Sequence, residues 1–88
     1  MGSLLNEQMS RVNRRIIYLK ERRKILREQL PVLEADREWA DKNASAQTWY
    51  HANVAVNQAK REIKRIEKEI MELDEDRVKL KMREEWKV

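Results

Sequence analysis

Two series of apolar residues face each other position for position if this chain folds back on itself near Asn43-Ala44-Ser45. In the first half Leu5, Met9, Val12, Ile16, Leu19, Leu26, Leu30, Leu33 and Ala40 recur at alternating steps of three and four, with Arg23 and Arg37 completing the series. The second half repeats the pattern in Trp49, Ala52, Val56, Ala59, Ile63, Ile66, Ile70, Leu73 and Leu80, interrupted by Arg77. Facing positions then add to about the same residue number, as an antiparallel coiled coil requires. Ala40 meets Trp49, Leu33 meets Val56, Leu26 meets Ile63, Leu19 meets Ile70 and Ile16 meets Leu73. The pattern predicts an all-α fold, a long antiparallel two-helix coiled-coil hairpin able to dimerise into a four-helix bundle.

Charges flanking the seam supply a separate check on the register. Antiparallel helices bring like flanking positions together, which sets Lys20 against Asp74, Arg27 against Glu67 and Glu34 against Lys60 along one edge. The other edge sets Arg15 against Asp76 and Arg22 against Glu69. Each exposed pair contributes only about 0.2–1 kcal/mol, so these contacts select partner and register more than they stabilise. Arg23 would face Ile66 and Arg77 would face Val12, and both can extend their charged ends to solvent or to nearby acids.

The expected elements are a helix over 4–41, a turn over 42–45 and a helix over 46–87, together making one hairpin domain over 4–88. Met1-Gly2-Ser3 resembles a vector-derived leader, which points to a segment cut from a longer protein. Each helix would be about 60 Å long at about 1.5 Å per residue. With no glycine at the turn, Asn43 is expected to take a left-handed conformation and Ser45 to cap the second helix. Ala44, Ala46 and Gln47 are good helix formers, so a single straight helix pairing with a second copy is the alternative. Pro31 predicts a kink, or a break near Gln29 that makes Pro31–Lys42 a third short helix, since an interior proline costs about 3 kcal/mol.

Composition narrows the functional classes. Charged and hydrophobic residues each make up 41% of the 88 residues, with one glycine, one proline and no cysteine, the profile of long exposed helices around a narrow seam. Lack of cysteine removes disulfides and thiol chemistry and fits an intracellular, cytoplasmic setting. No apolar run approaches the roughly 20 residues needed to cross a bilayer, so no membrane insertion by this segment is expected. A single histidine, His51, no glycine-rich phosphate loop and no metal-spaced ligand set predict neither enzyme activity, cofactor nor metal. The acidic run Glu72-Leu73-Asp74-Glu75-Asp76 lacks the glycine and terminal glutamate of a calcium loop.

What exceeds a plain hairpin is a second apolar stripe on the first helix: Leu4, Tyr18, Ile25, Val32 and Trp39 at steps of seven, with Arg11 in the gap. It lies outside the seam, where large apolar groups mark a partner-binding surface unless Arg and Lys stems cover them. The expected partner is a second copy or an amphipathic helix of another protein. The second helix contributes less outward apolar surface, mainly Tyr50, Met71, Val78 and Trp86. The competing expectation is nucleic-acid or acidic-surface contact through the dense basic group around Arg11, Arg14 and Lys24. Facing acids in the second helix would neutralise much of that charge, leaving a net charge of +4. Coiled-coil hairpins serve many unrelated proteins, so architecture alone selects no function.

Overall fold

In a computed structural model the chain forms two α-helices, α1 (Ser3–Asn43) and α2 (Ala46–Trp86), folded back against each other as an antiparallel hairpin. The structure describes the backbone of residues 3–86 and the side chains of residues 4–83. Met1, Gly2, Lys87 and Val88, and the side chain of Trp86, lie outside the described residues. The molecule is a rod of 66 × 15 × 14 Å, the length that 41 residues of helix span at about 1.5 Å each.

Among the described residues all eight buried apolar side chains belong to the two heptad series. They are Ile16, Leu19, Leu26 and Ala40 on α1, and Val56, Ala59, Ile66 and Ile70 on α2. Leu19, Leu26, Ile66 and Ile70 form one cluster, with half-buried Ile63 and Leu73 packed against it. The residues expected to face each other, Leu26 and Ile63, and Leu19 and Ile70, thus lie in the same packed group. Near the turn Ala40 is covered, with the larger Trp49 half-buried beside it. Val56 is fully sealed from water, while Met9, Val12 and Leu80 towards the open end are only half-buried. Burial is therefore greatest in the middle and near the turn. The strongly polar residues of the seam behave as their chemistry requires: Arg77 stays exposed and reaches Asp74 and Asn13, and half-buried Arg37 donates to Asn53 Oδ1 at 3.2 Å.

The turn differs from expectation. α1 continues through Asn43, two residues beyond the expected end, so only Ala44 and Ser45 connect the helices. No non-glycine residue among those described has a positive φ, so Asn43 is not left-handed. Two hydrogen bonds close the end of α1 without that conformation. Asn43 Nδ2 donates to the Trp39 carbonyl at 3.1 Å, and the Ala44 amide donates to the Ala40 carbonyl at 3.0 Å. Ser45 does cap α2: its Oγ accepts from the Thr48 amide at 3.3 Å and lies 3.1 Å from Thr48 Oγ1.

Pro31 does not divide the helix. α1 is assigned without interruption across it, and neither the break near Gln29 nor a separate Pro31–Lys42 helix forms. The missing N–H deprives the Arg27 carbonyl of its helical partner, but both residues lie on the solvent side, where water can take its place. Leu30 and Leu33 hold the seam on either side of the proline.

Leu26→Ala should destabilise the hairpin by about 2–5 kcal/mol, because Leu26 is 4% exposed within the central cluster. Ser45→Ala should cost about 0.5–2 kcal/mol through loss of the cap. Urea unfolding followed by helical circular dichroism measures both, and equal effects of the two substitutions would contradict this division between core and cap.

Candidate interaction surfaces

The flanking charges pair across both edges of the seam, and they determine which surfaces stay free. On one edge Arg27 Nη2 lies 2.7 Å from Glu67 Oε1, and Lys60 Nζ lies 3.9 Å from Glu34 Oε1, both as the heptads predict. Lys20 does not pair with Asp74, whose carboxylate instead accepts from Arg77 Nη2 at 2.9 Å within α2. On the other edge the expected partners are replaced by residues seven positions earlier. Arg15 grips Glu69 rather than Asp76, with Nε at 3.1 Å and Nη2 at 3.3 Å, and Arg22 Nε bonds Glu62 rather than Glu69 at 3.2 Å. Glutamate, one methylene longer than aspartate, can meet both nitrogens of the Arg15 fork. With Glu69 engaged there, Arg22 takes the next carboxylate along α2.

The outer stripe of α1 lies in solvent. Leu4, Tyr18, Ile25, Val32 and Trp39 are all exposed, from 41% at Ile25 to 69% at Leu4. Arg and Lys stems therefore leave much of their surface bare, although the Arg15 guanidinium sits 5.3 Å from the Tyr18 ring centre. That contact places the stripe beside the Arg15–Glu69 edge. Arg11, in the gap of the stripe, lines an open groove with Val12, Asp76 and Leu80.

Sequence reasoning passed over two exposed apolar residues, Ile17 and Met82. Ile17 directly follows a seam residue and so merges with the core pattern on reading. A helix turns about 100° per residue, which carries Ile17 to the side of the hairpin away from the Tyr18 stripe. The register sets it level with Met71. Met71 and Val78 line an open, shallow groove with Glu67, Ile70 and Asp74 on that side. Tyr50, Met71 and Val78 are exposed, as expected for outward residues of α2.

Of the α1 cations expected to contact phosphate, Arg11, Arg14 and Lys24 are exposed, and Arg14 Nε bonds the Ser10 carbonyl at 3.4 Å. Glu21 and Glu28 are exposed on the same outer part of α1 and dilute that charge. His51 is exposed beside the turn with its ring edge-on to Tyr50, 5.8 Å between centres and 71° between planes. No helix among the described residues is long and apolar enough to cross a membrane.

The chain matches no protein-family model, no curated protein and no solved structure, so the functional reading rests on these surfaces.

The ion-pair assignment is open to a double-mutant cycle. Arg15→Ala with Glu69→Ala should show coupling of about 0.2–1 kcal/mol in urea unfolding, and Arg15→Ala with Asp76→Ala should be additive. Coupling of Arg15 to Asp76 instead would restore the pairing expected from the heptads.

Proposed function

We propose that this hairpin is a non-enzymatic protein-interaction module that assembles through the outer stripe of α1, with a second copy of itself as the partner. The exposure of Leu4, Tyr18, Ile25, Val32 and Trp39 along one line carries the reading. Apolar side chains repeated along the whole length of a helix are a costly surface for an isolated rod. A seam on one side and a stripe on the other give α1 two apolar sides, as in a helix packed between neighbours in a four-helix bundle.

Size and symmetry favour a second copy. From Leu4 to Trp39 the stripe runs about 52 Å at about 1.5 Å per residue, and a band as wide as a helix, about 10 Å, covers roughly 520 Å². Two copies would together bury roughly 1,000 Å², at the lower bound for a specific interface. A two-fold axis crossing α1 between Glu21 and Arg22 would face Leu4 with Trp39 and Tyr18 with Ile25, and would set Val32 against the stem of Arg11. It would also bring Arg14 towards Glu28 across the axis. A heterologous amphipathic helix laid along Tyr18, Ile25 and Trp39 would use the same anchors.

Light scattering during size-exclusion chromatography should give the mass of a dimer that persists at high salt, because apolar burial is not screened as charge pairs are. Tyr18→Glu with Ile25→Glu should yield a helical monomer. A wild-type monomer at every protein concentration would overturn self-assembly, and an unchanged dimer in the double variant would remove the stripe from the interface.

A further inference from the structure

The outer face of α2 carries a basic surface that neither the seam nor the α1 stripe uses. Arg61, Lys64, Arg65 and Lys68 stand at spacings of one, three and four, all exposed on the side away from the seam residues Ile63 and Ile66. Like charges at these helical spacings repel one another. The carboxylates interleaved with them do not relieve that repulsion, because all three are drawn to the other helix. Glu62 pairs with Arg22, Glu67 with Arg27 and Glu69 with Arg15. Among the described residues none of the four cations makes an ion pair or a side-chain hydrogen bond. The hairpin thus uses these three acids internally and leaves a cationic row on its back.

Towards the turn the same face continues without acid. No Asp or Glu occurs between Asp41 and Glu62, and the exposed outward residues there include Asn57, Gln58, His51 and Tyr50. From Tyr50 to Lys68 the face runs about 27 Å at about 1.5 Å per residue, with aromatic groups at one end, amides in the middle and cations at the other. Glu72 and Glu75 bound it beyond Lys68.

We infer that this face of α2 binds the phosphodiester backbone of a nucleic acid, with Arg61, Lys64, Arg65 and Lys68 contacting phosphates and Tyr50 and His51 offering rings to an unstacked base. Cations next to amides and exposed aromatic rings match the donors and stacking surfaces that a nucleic acid uses. An acidic membrane would call for apolar groups among the cations, and from Arg61 to Lys68 the outward positions carry none, exposed Tyr50 and Met71 lying only beyond the two ends of the cationic row. The surface is separate from the α1 stripe, so self-assembly through α1 would leave it free on both copies.

Fluorescence anisotropy with the full chain and a labelled 20-nucleotide single strand, and with a duplex of the same length, tests the inference. Substitution of all four cations by glutamine keeps good helix formers in place, and circular dichroism verifies the fold. That variant should bind at least about tenfold more weakly at about 100 mM salt, with the slope of log affinity against log salt reduced by roughly 3 for the single strand. The control that replaces Arg11, Arg14 and Lys24 by glutamine should retain most of the affinity. Tyr50→Ala should weaken the single strand by roughly fivefold or more and leave the duplex little changed if a base stacks there; equal small effects on both would limit the contact to phosphate. Absence of oligonucleotide binding by the wild type, equal binding by the four-glutamine variant, or equally tight binding of poly-glutamate or phosphatidylserine vesicles would overturn the assignment.

Discussion

Everything in this molecule depends on the register of one narrow apolar seam. Leu19 and Leu26 on α1 pack with Ile66 and Ile70 on α2, and Val56, Ala59 and Ala40 extend that contact towards the turn. A shift of either helix by a single residue would carry these side chains off the shared face, so the seam determines the level of every other residue on the rod. It also decides which charges meet. The arginines beside the seam are placed within reach of glutamates on α2, and their exposed pairs add specificity to an arrangement that apolar burial has already stabilised.

Those pairings divide the surface unevenly. Carboxylates of α2 turned towards α1 cannot also neutralise the cations on its outer side, and α1 keeps Glu21 and Glu28 on its own outer side among Arg14 and Lys24. The hairpin therefore presents a mixed, apolar-striped face on α1 and a cationic face on α2, although net charge over the whole chain is only +4. A chain average hides this polarity because opposite signs cancel in it while remaining separated in space. The two surfaces are compatible with one another, since assembly through the first leaves the second accessible.

The seam was readable because coiled-coil geometry turns spacing directly into position: eight buried residues all fall on the two heptad series. The exposed position of the α1 stripe follows from the same periodicity. Features governed by side-chain reach were less readable. Arg15 can reach a carboxylate on either of two turns of α2, and its two-pronged contact with Glu69 displaces Arg22 to Glu62. The end of α1 is another such case, because Asn43 stays in the helix with its side chain bonded to the Trp39 carbonyl instead of turning left-handed. Pro31 does not break α1, since its penalty falls on a solvent-facing carbonyl and leaves the seam on both sides intact.

Periodicity alone determined that this chain forms two long helices with a shared apolar seam, and which residues occupy it, because 3.6 residues per turn lets few patterns keep one face dry. The tertiary structure decided how the turn is closed, which carboxylate each arginine takes, and hence which charges remain free. Those outcomes depend on distances between residues as much as 54 positions apart, and on flexible side chains with more than one partner in reach. Local spacing carries no such distance. It is for this reason that the cationic face of α2, unlike the seam, emerges only when the helices are placed side by side.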